Sequence, residues 1–307
     1  MGAAVQGAPR QQPPLTPGSG VDPSTGLPGG ATLPVMDERS AGVARLFDML
    51  AADYDRSGVD FFEPIAAGLL EVLPPRPGER WLDVGCGAGA VLLPVADAVG
   101  ADGTVVGIDV SEQMVERTRA AARGLPHVEV LVGDAAEPPA ADPFDVVVSS
   151  LVLFFLPDPA AALRSWLGAL ASGGRLGVST FGPWDPRLED VEAVLEPWIP
   201  AAMKDPRVVG EASPFASDEG MERLVADAGF VDVRTETFAL PVRFADAEQW
   251  YAFSWSTGQR GMWLSVPEDQ RDAVRAEAFR RFASYAGDDG SLVAAIHIRC
   301  TLASAPS

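Results

Sequence analysis

Short apolar segments alternate with segments of helical periodicity from residue 80 onward. The apolar segments predict five strands, over residues 81–84, 104–109, 128–132, 144–149 and 175–181. The segments between them predict three helices, over residues 90–98, 112–122 and 159–171. Ser111 is the expected N-cap of the second helix, and the Gly173-Gly174 pair is expected to end the third. This alternation is typical of a parallel sheet covered by helices on both faces.

More elements are predicted on both sides of this region. Two helices, over residues 38–50 and 61–72, precede the first strand. A helix over residues 218–228 and long strands over residues 231–244 and 292–302 follow the fifth strand, and a helix over residues 268–283 lies between the two long strands. The predicted fold class is therefore α/β: a doubly wound, mostly parallel seven-stranded sheet with N-terminal helices and a helical lid insert between the last two strands.

The domain organisation follows from the same patterns. One domain is predicted over residues 37–307, with an N-terminal helical cap over residues 37–75 and the lid insert over residues 245–289. Residues 1–36 are rich in Pro, Gly, Ser and Gln and contain few large apolar residues. Such a segment cannot offset the entropy lost on ordering, so these residues are predicted to be a disordered leader.

Charge and composition narrow the classes of partner. The formal net charge is -20 and Lys204 is the only lysine, so no basic run is present to bind nucleic acid. No apolar run reaches the roughly 20 residues of a bilayer span, and no apolar segment follows Arg10 as it would in a secretory signal. Cys86 and Cys300 lack the spacing of metal ligands and are expected to be free thiols, and no metal site is predicted. We therefore expect a cytoplasmic protein that acts on a small molecule, without a membrane partner, as a monomer or a homo-oligomer.

A glycine-rich turn directly follows the first predicted strand. Gly85 and Gly87 allow the chain to turn sharply and a ligand to approach the N-terminus of the next helix, where unpaired N–H groups favour an anion. With Ala90, these glycines also satisfy the pattern of a dinucleotide-binding loop. Asp83 favours another ligand, because a carboxylate repels a pyrophosphate but attracts an ammonium group. The turn therefore suits a zwitterionic amino acid.

Two further acids follow the next two strands. Asp109 ends the second strand, where a carboxylate can accept hydrogen bonds from both hydroxyls of a ribose. This position fits NAD and S-adenosyl-L-methionine (SAM) equally well. Asp134 follows the third strand and can accept a hydrogen bond from the exocyclic amine of adenine, which favours SAM. One acid at each strand end along the ligand-binding edge of an α/β sheet is a stronger signal than any acid alone.

These motifs together resemble the class I SAM-dependent methyltransferases, in the branch that includes ubiquinone/menaquinone-type and natural-product small-molecule enzymes. The resemblance covers about residues 39–302, with matching motifs at 51–55, 83–89, 109, 133–135, 143–159 and 173–176. It implies a Rossmann-like methyltransferase fold, SAM as the cofactor and methyl transfer to a small molecule. The SAM contacts that it implies are Tyr54, Asp83, Gly85, Gly87, Asp109, Val110, Met114, Asp134, Ala135 and Ser150.

The sequence departs from the family in one place that bears on catalysis. Many relatives carry a histidine near Phe154 or Phe155, and neither residue here can act as a base. His127 and His297 are interpreted as structural residues. Methyl transfer needs mainly in-line positioning, and a base is needed only for a poorly activated acceptor. The candidate bases are Glu189, Asp185 and Glu63.

Aromatic residues are concentrated in the lid insert and near the fourth and fifth strands. They could cover a flat or isoprenoid substrate or could simply fill the core beneath the insert. The candidate substrate-binding residues are Phe154, Phe155, Trp184, Trp250, Trp255 and Trp263. The preferred reaction is O-methylation of a natural-product or aromatic scaffold. C-methylation of an electron-rich carbon or isoprenoid, a non-methylating cyclisation or decarboxylation that uses SAM, and an NAD-dependent oxidoreductase remain alternatives.

Overall fold

The computed structural model describes residues 38–199, 210 and 213–307, and the predicted leader lies outside them. The described residues form one seven-stranded sheet in the order β3-β2-β1-β4-β5-β7-β6. Its strands are β1 (Arg80–Val84), β2 (Thr104–Asp109), β3 (Val128–Val132), β4 (Phe144–Ser150), β5 (Leu170–Phe181), β6 (Val231–Phe244) and β7 (Leu292–Ser304). The neighbours from β3 to β5 are parallel, whereas β7 is antiparallel to both β5 and β6. This confirms the predicted doubly wound, mostly parallel sheet.

Helices precede, cover and follow the strands in the predicted order. In the described residues they are α1 (Glu38–Leu50), α2 (Phe62–Val72), α3 (Leu92–Val99), α4 (Glu112–Ala121), α5 (Pro159–Ala169), α6 (Pro186–Glu192), α7 (Asp218–Asp227), α8 (Ala247–Trp255), α9 (Arg260–Ser265) and α10 (Glu268–Tyr285). Ser111 caps α4 as predicted, since its hydroxyl accepts the Met114 N–H at 3.1 Å. None of the helices within the described residues is long and apolar enough to cross a membrane.

The boundary between α5 and β5 differs from the prediction. The helix ends at Ala169, and β5 begins at the next residue, Leu170, rather than at residue 175. Leu170 pairs with Phe144, after which the register shifts before Val146. Gly173 has a φ of 70° within this irregular stretch. The glycine pair therefore lies in a bulge of the strand and does not end the helix.

Helix α6 has no counterpart among the predicted elements. Its sequence carries the usual start signals: the Asp185 side chain accepts the Arg187 N–H at 3.0 Å, and Pro186 occupies the first turn. The helix buries Leu188 and Val191 and packs against α10 of the insert. This contact places the chain that follows β5 beside the insert.

The two faces of the sheet carry separate apolar cores. One core joins α2, α3, α6 and the insert, and includes Leu69, Val95, Val191 and Trp250. The other joins α5 and α7 to the opposite face, around Trp166. An N-terminal helix and the insert therefore share one face of the sheet.

Candidate active site

The glycine turn connects β1 to α3 at the carboxyl edge of the sheet. The N–H groups of Gly85 and Cys86 both donate to the Ile108 carbonyl of β2, at 2.8 and 2.9 Å. Gly85 and Gly87 have φ values of 75° and 50°, a region of backbone space that favours glycine. The turn is thus fixed to the neighbouring strand in a left-handed conformation.

Replacing Gly85 by alanine is expected to lower the melting temperature by about 5–10 °C. A Cβ at Gly85 would clash with a methyl carbon of Val152, at a φ of +75°. Gly87→Ala is the matched comparison, because a Cβ there would meet nothing within 4 Å. Thermal denaturation without ligand should show a clearly smaller loss for Gly87→Ala. Equal losses would contradict a packing constraint at Gly85.

Asp109 ties the end of β2 to the two segments beside it. Its Oδ2 accepts the Gly87 N–H and its Oδ1 accepts the Ser111 N–H, both at 2.9 Å. Burial raises the pKa of this carboxyl, and the N–H groups of Ser111 and Gly87 oppose the rise. Each oxygen keeps one further acceptor position, so the carboxylate can still receive two hydroxyl groups.

Asp83 lies in β1 beneath the same turn. Its side chain is buried, and Oδ2 has no hydrogen-bond partner. Burial, with the nearby charge of Asp109 as the next cause, raises the pKa of Asp83 to about 8. A buried acceptor without a partner is costly in a folded protein and points to a group that binds there.

The other predicted contacts line the same edge. Asp134, two residues beyond β3, accepts the Ala136 N–H at 2.9 Å through Oδ1. The Ala135 carbonyl beside it accepts the Trp166 indole N–H at 2.7 Å. At the end of β4, the hydroxyls of Ser150 and Ser179 lie 2.8 Å apart. Val110 follows β2, and Met114 is buried in α4.

Residues of the predicted N-terminal cap lie near Asp109. Tyr54 stacks on Phe62 with the ring centroids 4.5 Å apart, and its carbonyl accepts Arg117 Nη1 at 2.8 Å. Burial raises the pKa of Tyr54, and the charge of Asp109 raises it further. Asp48 of α1 accepts the Ser111 hydroxyl at 2.6 Å. Tyr54 therefore lies near the acid at the end of β2.

Comparisons with known proteins relate the chain to one class of enzyme. A family model described as a methyltransferase domain matches residues 82–178. The chain is 41% identical over 255 residues to nocamycin O-methyltransferase from Saccharothrix syringae, covering 78% of this chain and 91% of that enzyme. It is 42% identical over 142 residues to an aklanonic acid methyltransferase from Streptomyces sp. (strain C5), covering 45% of this chain and 64% of that enzyme. The solved structure of YcgJ from Bacillus subtilis has the same fold, with a TM-score of 0.54 at 18% identity over 80% of this chain and 99% of that chain.

A glycine turn on a doubly wound sheet, with acids at three neighbouring strand ends, defines a binding site for a nucleoside-containing ligand. The chain is 41% identical to a known methyltransferase over 91% of that enzyme, and this similarity identifies the class of enzyme. The chain belongs to the class I SAM-dependent small-molecule methyltransferases. Its cofactor is SAM, which overturns the NAD alternative.

The residues at the strand edge fit SAM. An ammonium group would satisfy the partnerless oxygen of Asp83, and a ribose would use the remaining acceptor positions of Asp109. The open space beside Gly87 allows a close approach to the backbone. When bound, SAM supplies a methyl group on a positively charged sulfur. The protein must hold the acceptor in line with that methyl and exclude water.

Aromatic side chains extend from this edge toward the insert. Phe154 contacts Phe181 at the end of β5, with ring centroids 5.6 Å apart, and Phe181 contacts Trp184 at 5.3 Å. Phe155 lies beside Phe154 at 4.7 Å, and Phe61 contacts both Phe181 and the insert. Phe181 is absent from the predicted substrate-binding residues. It ends β5 as Asp109 ends β2, so its place at the ligand-binding edge of the sheet was a usable sequence signal.

The tryptophans of the insert have different surroundings. Trp263 is fully buried, and its indole N–H donates to Ser254 Oγ at 2.8 Å. This favours the packing alternative for Trp263 in this conformation. Trp250 is also buried, but its indole nitrogen has no partner. Trp255 is partly covered, and its indole nitrogen likewise lacks a partner.

The three candidate bases lie in different environments. The oxygens of Asp185 accept four hydrogen bonds, from three nitrogens of Arg187 and from the Ala295 N–H. The side-chain hydrogen bond with Arg187 is the main reason that the pKa of Asp185 falls to about 2. The structure thus uses Asp185 to cap α6 and to join it to β7. Glu189 and Glu63 are exposed, on α6 and α2.

Proposed function

We propose that the protein transfers the methyl group of SAM to an oxygen atom of a natural-product or aromatic acceptor. The observation that carries this proposal is the 41% identity to nocamycin O-methyltransferase over 91% of that enzyme. The related aklanonic acid methyltransferase also acts on a small molecule by its name. A net charge of -20 disfavours a nucleic-acid acceptor.

The aromatic groups at the strand edge support a flat acceptor. Phe154, Phe181 and Trp184 contact one another in sequence at tilted or edge-to-face angles, and each is only partly covered, which suits contact with a planar molecule. The partly covered Phe155 and Trp255 extend this apolar surface toward the N-terminal cap and the insert. An acceptor placed here would be shielded from water, as in-line transfer requires.

The proposal is tested by incubating the protein with SAM that carries a ¹³C-labelled methyl group and with hydroxylated aromatic polyketides. The matched controls are the same scaffolds with the hydroxyl already methylated. We expect the free hydroxyl compounds to gain the mass of one CH₂ and the label to resonate in the methoxy region. Label in the C-methyl region would support the carbon alternative, and a changed scaffold without added mass would support a non-methylating reaction.

A further inference from the structure

Glu192, the last residue of α6, carries a carboxyl group that neither the fold nor the SAM site uses. The residue is partly covered, and its carboxyl lies deep enough for burial to raise its pKa to about 7. The charge of Glu189 raises this pKa further, whereas nearby hydrogen-bonding groups of Gln259, Trp184 and Trp250 oppose the rise. A group that ionises near neutral pH is well suited to proton transfer.

The polar groups around this carboxyl are incompletely paired. The indole nitrogens of Trp184 and Trp250 are buried without a hydrogen-bond partner, so neither completes a bond of normal geometry to Glu192. The Oε1 of Gln259, an acceptor, is also buried without a partner. Trp250 is only 1% exposed, so solvent cannot satisfy its N–H. We call Glu192 and its neighbours Trp184, Trp250 and Gln259 the Glu192 pocket. Unpaired donors around one carboxyl indicate a place for a polar group that is not part of the chain.

The Glu192 pocket adjoins the active edge of the sheet. Trp184 contacts Phe181 at the end of β5, and Phe181 contacts Phe154, which follows β4. On the insert side, Gly258 directly precedes Gln259 and lies against the Phe155 ring, since a Cβ at Gly258 would be 3.5 Å from it. Phe155 in turn lies beside Phe154. An acceptor bound between the strand edge and the insert would therefore have a substituent close to the Glu192 pocket.

A hydroxyl group is complementary to this pocket. Its hydrogen can be donated to the Glu192 carboxylate, and its oxygen can accept an indole N–H from Trp184 or Trp250. A carboxylate ligand would be repelled by ionised Glu192, and an ammonium group could not accept from the indoles. We propose that Glu192 binds the acceptor hydroxyl and is the general base that removes its proton. This assignment rests on the proposed O-methylation.

The proposed step moves one methyl group to the acceptor and one proton to Glu192. The acceptor oxygen forms a bond to the methyl carbon while the carbon–sulfur bond breaks, and that electron pair stays on sulfur. The hydroxyl proton passes to the Glu192 carboxylate and leaves to solvent after the product departs. No oxidant, metal or further co-reactant is needed.

Several described arginines near α6 and in the insert pair with acids other than Glu192. Arg187 is bound to Asp185, and Arg281 of α10 is bound to Asp190 and Glu277. From the insert, Arg260 pairs with Asp53 and Arg275 pairs with Glu248. Tyr285 of α10 donates its hydroxyl to Asp190. Within the described residues, burial and the charge of Glu189 raise the pKa of Glu192, and the three hydrogen-bonding neighbours lower it.

The kinetic test compares Glu192→Gln with Glu189→Gln, a neutralisation on the exposed side of the same helix. We expect Glu192→Gln to bind SAM normally and to lower kcat for a hydroxyl acceptor by about 10²–10⁴-fold. The wild-type rate should rise with pH to a plateau above about 7, and this rise should disappear in Glu192→Gln. Glu189→Gln should keep the rise of the rate with pH but move it to lower pH, because it removes a charge that raises the pKa of Glu192. Trp184→Phe should move the kinetic pKa upward, because it removes an N–H that lowers the pKa of Glu192.

Tryptophan fluorescence reports the same ionisation without an acceptor. The emission of the wild type should titrate near pH 7, and Glu192→Gln should lose that transition. Glu189→Gln should keep the transition at a lower pH, because the charge of Glu189 raises the pKa of Glu192. If the wild type methylates a hydroxyl and Glu192→Gln matches its rate and pH profile, the base assignment is wrong and O-methylation stands. A fluorescence transition that persists in Glu192→Gln also contradicts the assignment. If the wild type methylates only carboxyl groups, O-methylation stands but the base assignment is wrong, because a carboxylate needs no base. If it methylates only carbon, the proposed function itself fails.

Discussion

Replacing Asp83 by asparagine is expected to stabilise the free protein while weakening SAM binding by about 100-fold or more. Asp83 is 2% exposed and its pKa is raised from 3.8 to about 8. Between these values the folded protein holds a proton that the unfolded chain has released, so stability falls as the pH rises through this window. Asparagine carries no charge at any pH and avoids that loss. It also removes the charge expected to bind the ammonium group of SAM.

Melting temperatures across this pH window, with calorimetric titration of S-adenosylhomocysteine, measure both effects. The advantage of Asp83→Asn should grow with pH up to about 8. Asp145→Asn is the matched control, because Asp145 lies on the adjacent strand β4 but is exposed. It should leave the affinity for S-adenosylhomocysteine unchanged. If the melting temperatures of Asp83→Asn and the wild type changed with pH in the same way, the buried carboxyl would not destabilise the folded protein as the pH rises.

The strands of the sheet and the acids at its edge are predictable because both depend on local sequence. Apolar segments such as residues 104–109 have the length and β-branched residues of buried strands. In parallel strands the carboxyl ends share one edge, so placing Asp109 after such a segment also places it near the glycine turn. The 2.9 Å contact between Asp109 and Gly87 is the expected result of that topology.

The acceptor side depends on contacts between distant parts of the chain, and sequence patterns do not give those contacts. Asp185 and Glu192 are both acids of the segment after β5. The structure pairs Asp185 with Arg187 and places Glu192 beside Trp250 of the insert. The start signals of α6 are visible in the sequence, but the face that meets the insert is set by packing against α10. Trp263 shows the same limit, since its burial depends on the fold of the insert.

Replacing Asp109 by alanine is expected to weaken the binding of SAM and S-adenosylhomocysteine by about 100-fold, or ~2.7 kcal/mol. Hydrogen bonds to a charged group contribute about 1.5–3 kcal/mol each, and two ribose hydroxyls are expected to donate to this carboxylate. The loop also loses order, because the N–H groups of Gly87 and Ser111 lose their acceptor. Calorimetric titration of both ligands measures the change, with S-adenosylhomocysteine excluding any effect of turnover.

Asp102→Ala is the control for this substitution, because Asp102 is exposed just before the opposite end of β2. Both variants remove one negative charge, so a general electrostatic effect on the cationic ligand would weaken binding in both. A loss confined to Asp109→Ala instead requires direct contact at the carboxyl edge. Unchanged affinity in Asp109→Ala, with a normal melting temperature, would contradict ribose binding by this residue. A ligand without the ribose hydroxyls should bind Asp109→Ala and the wild type equally well. That result would assign the contact of Asp109 to the ribose.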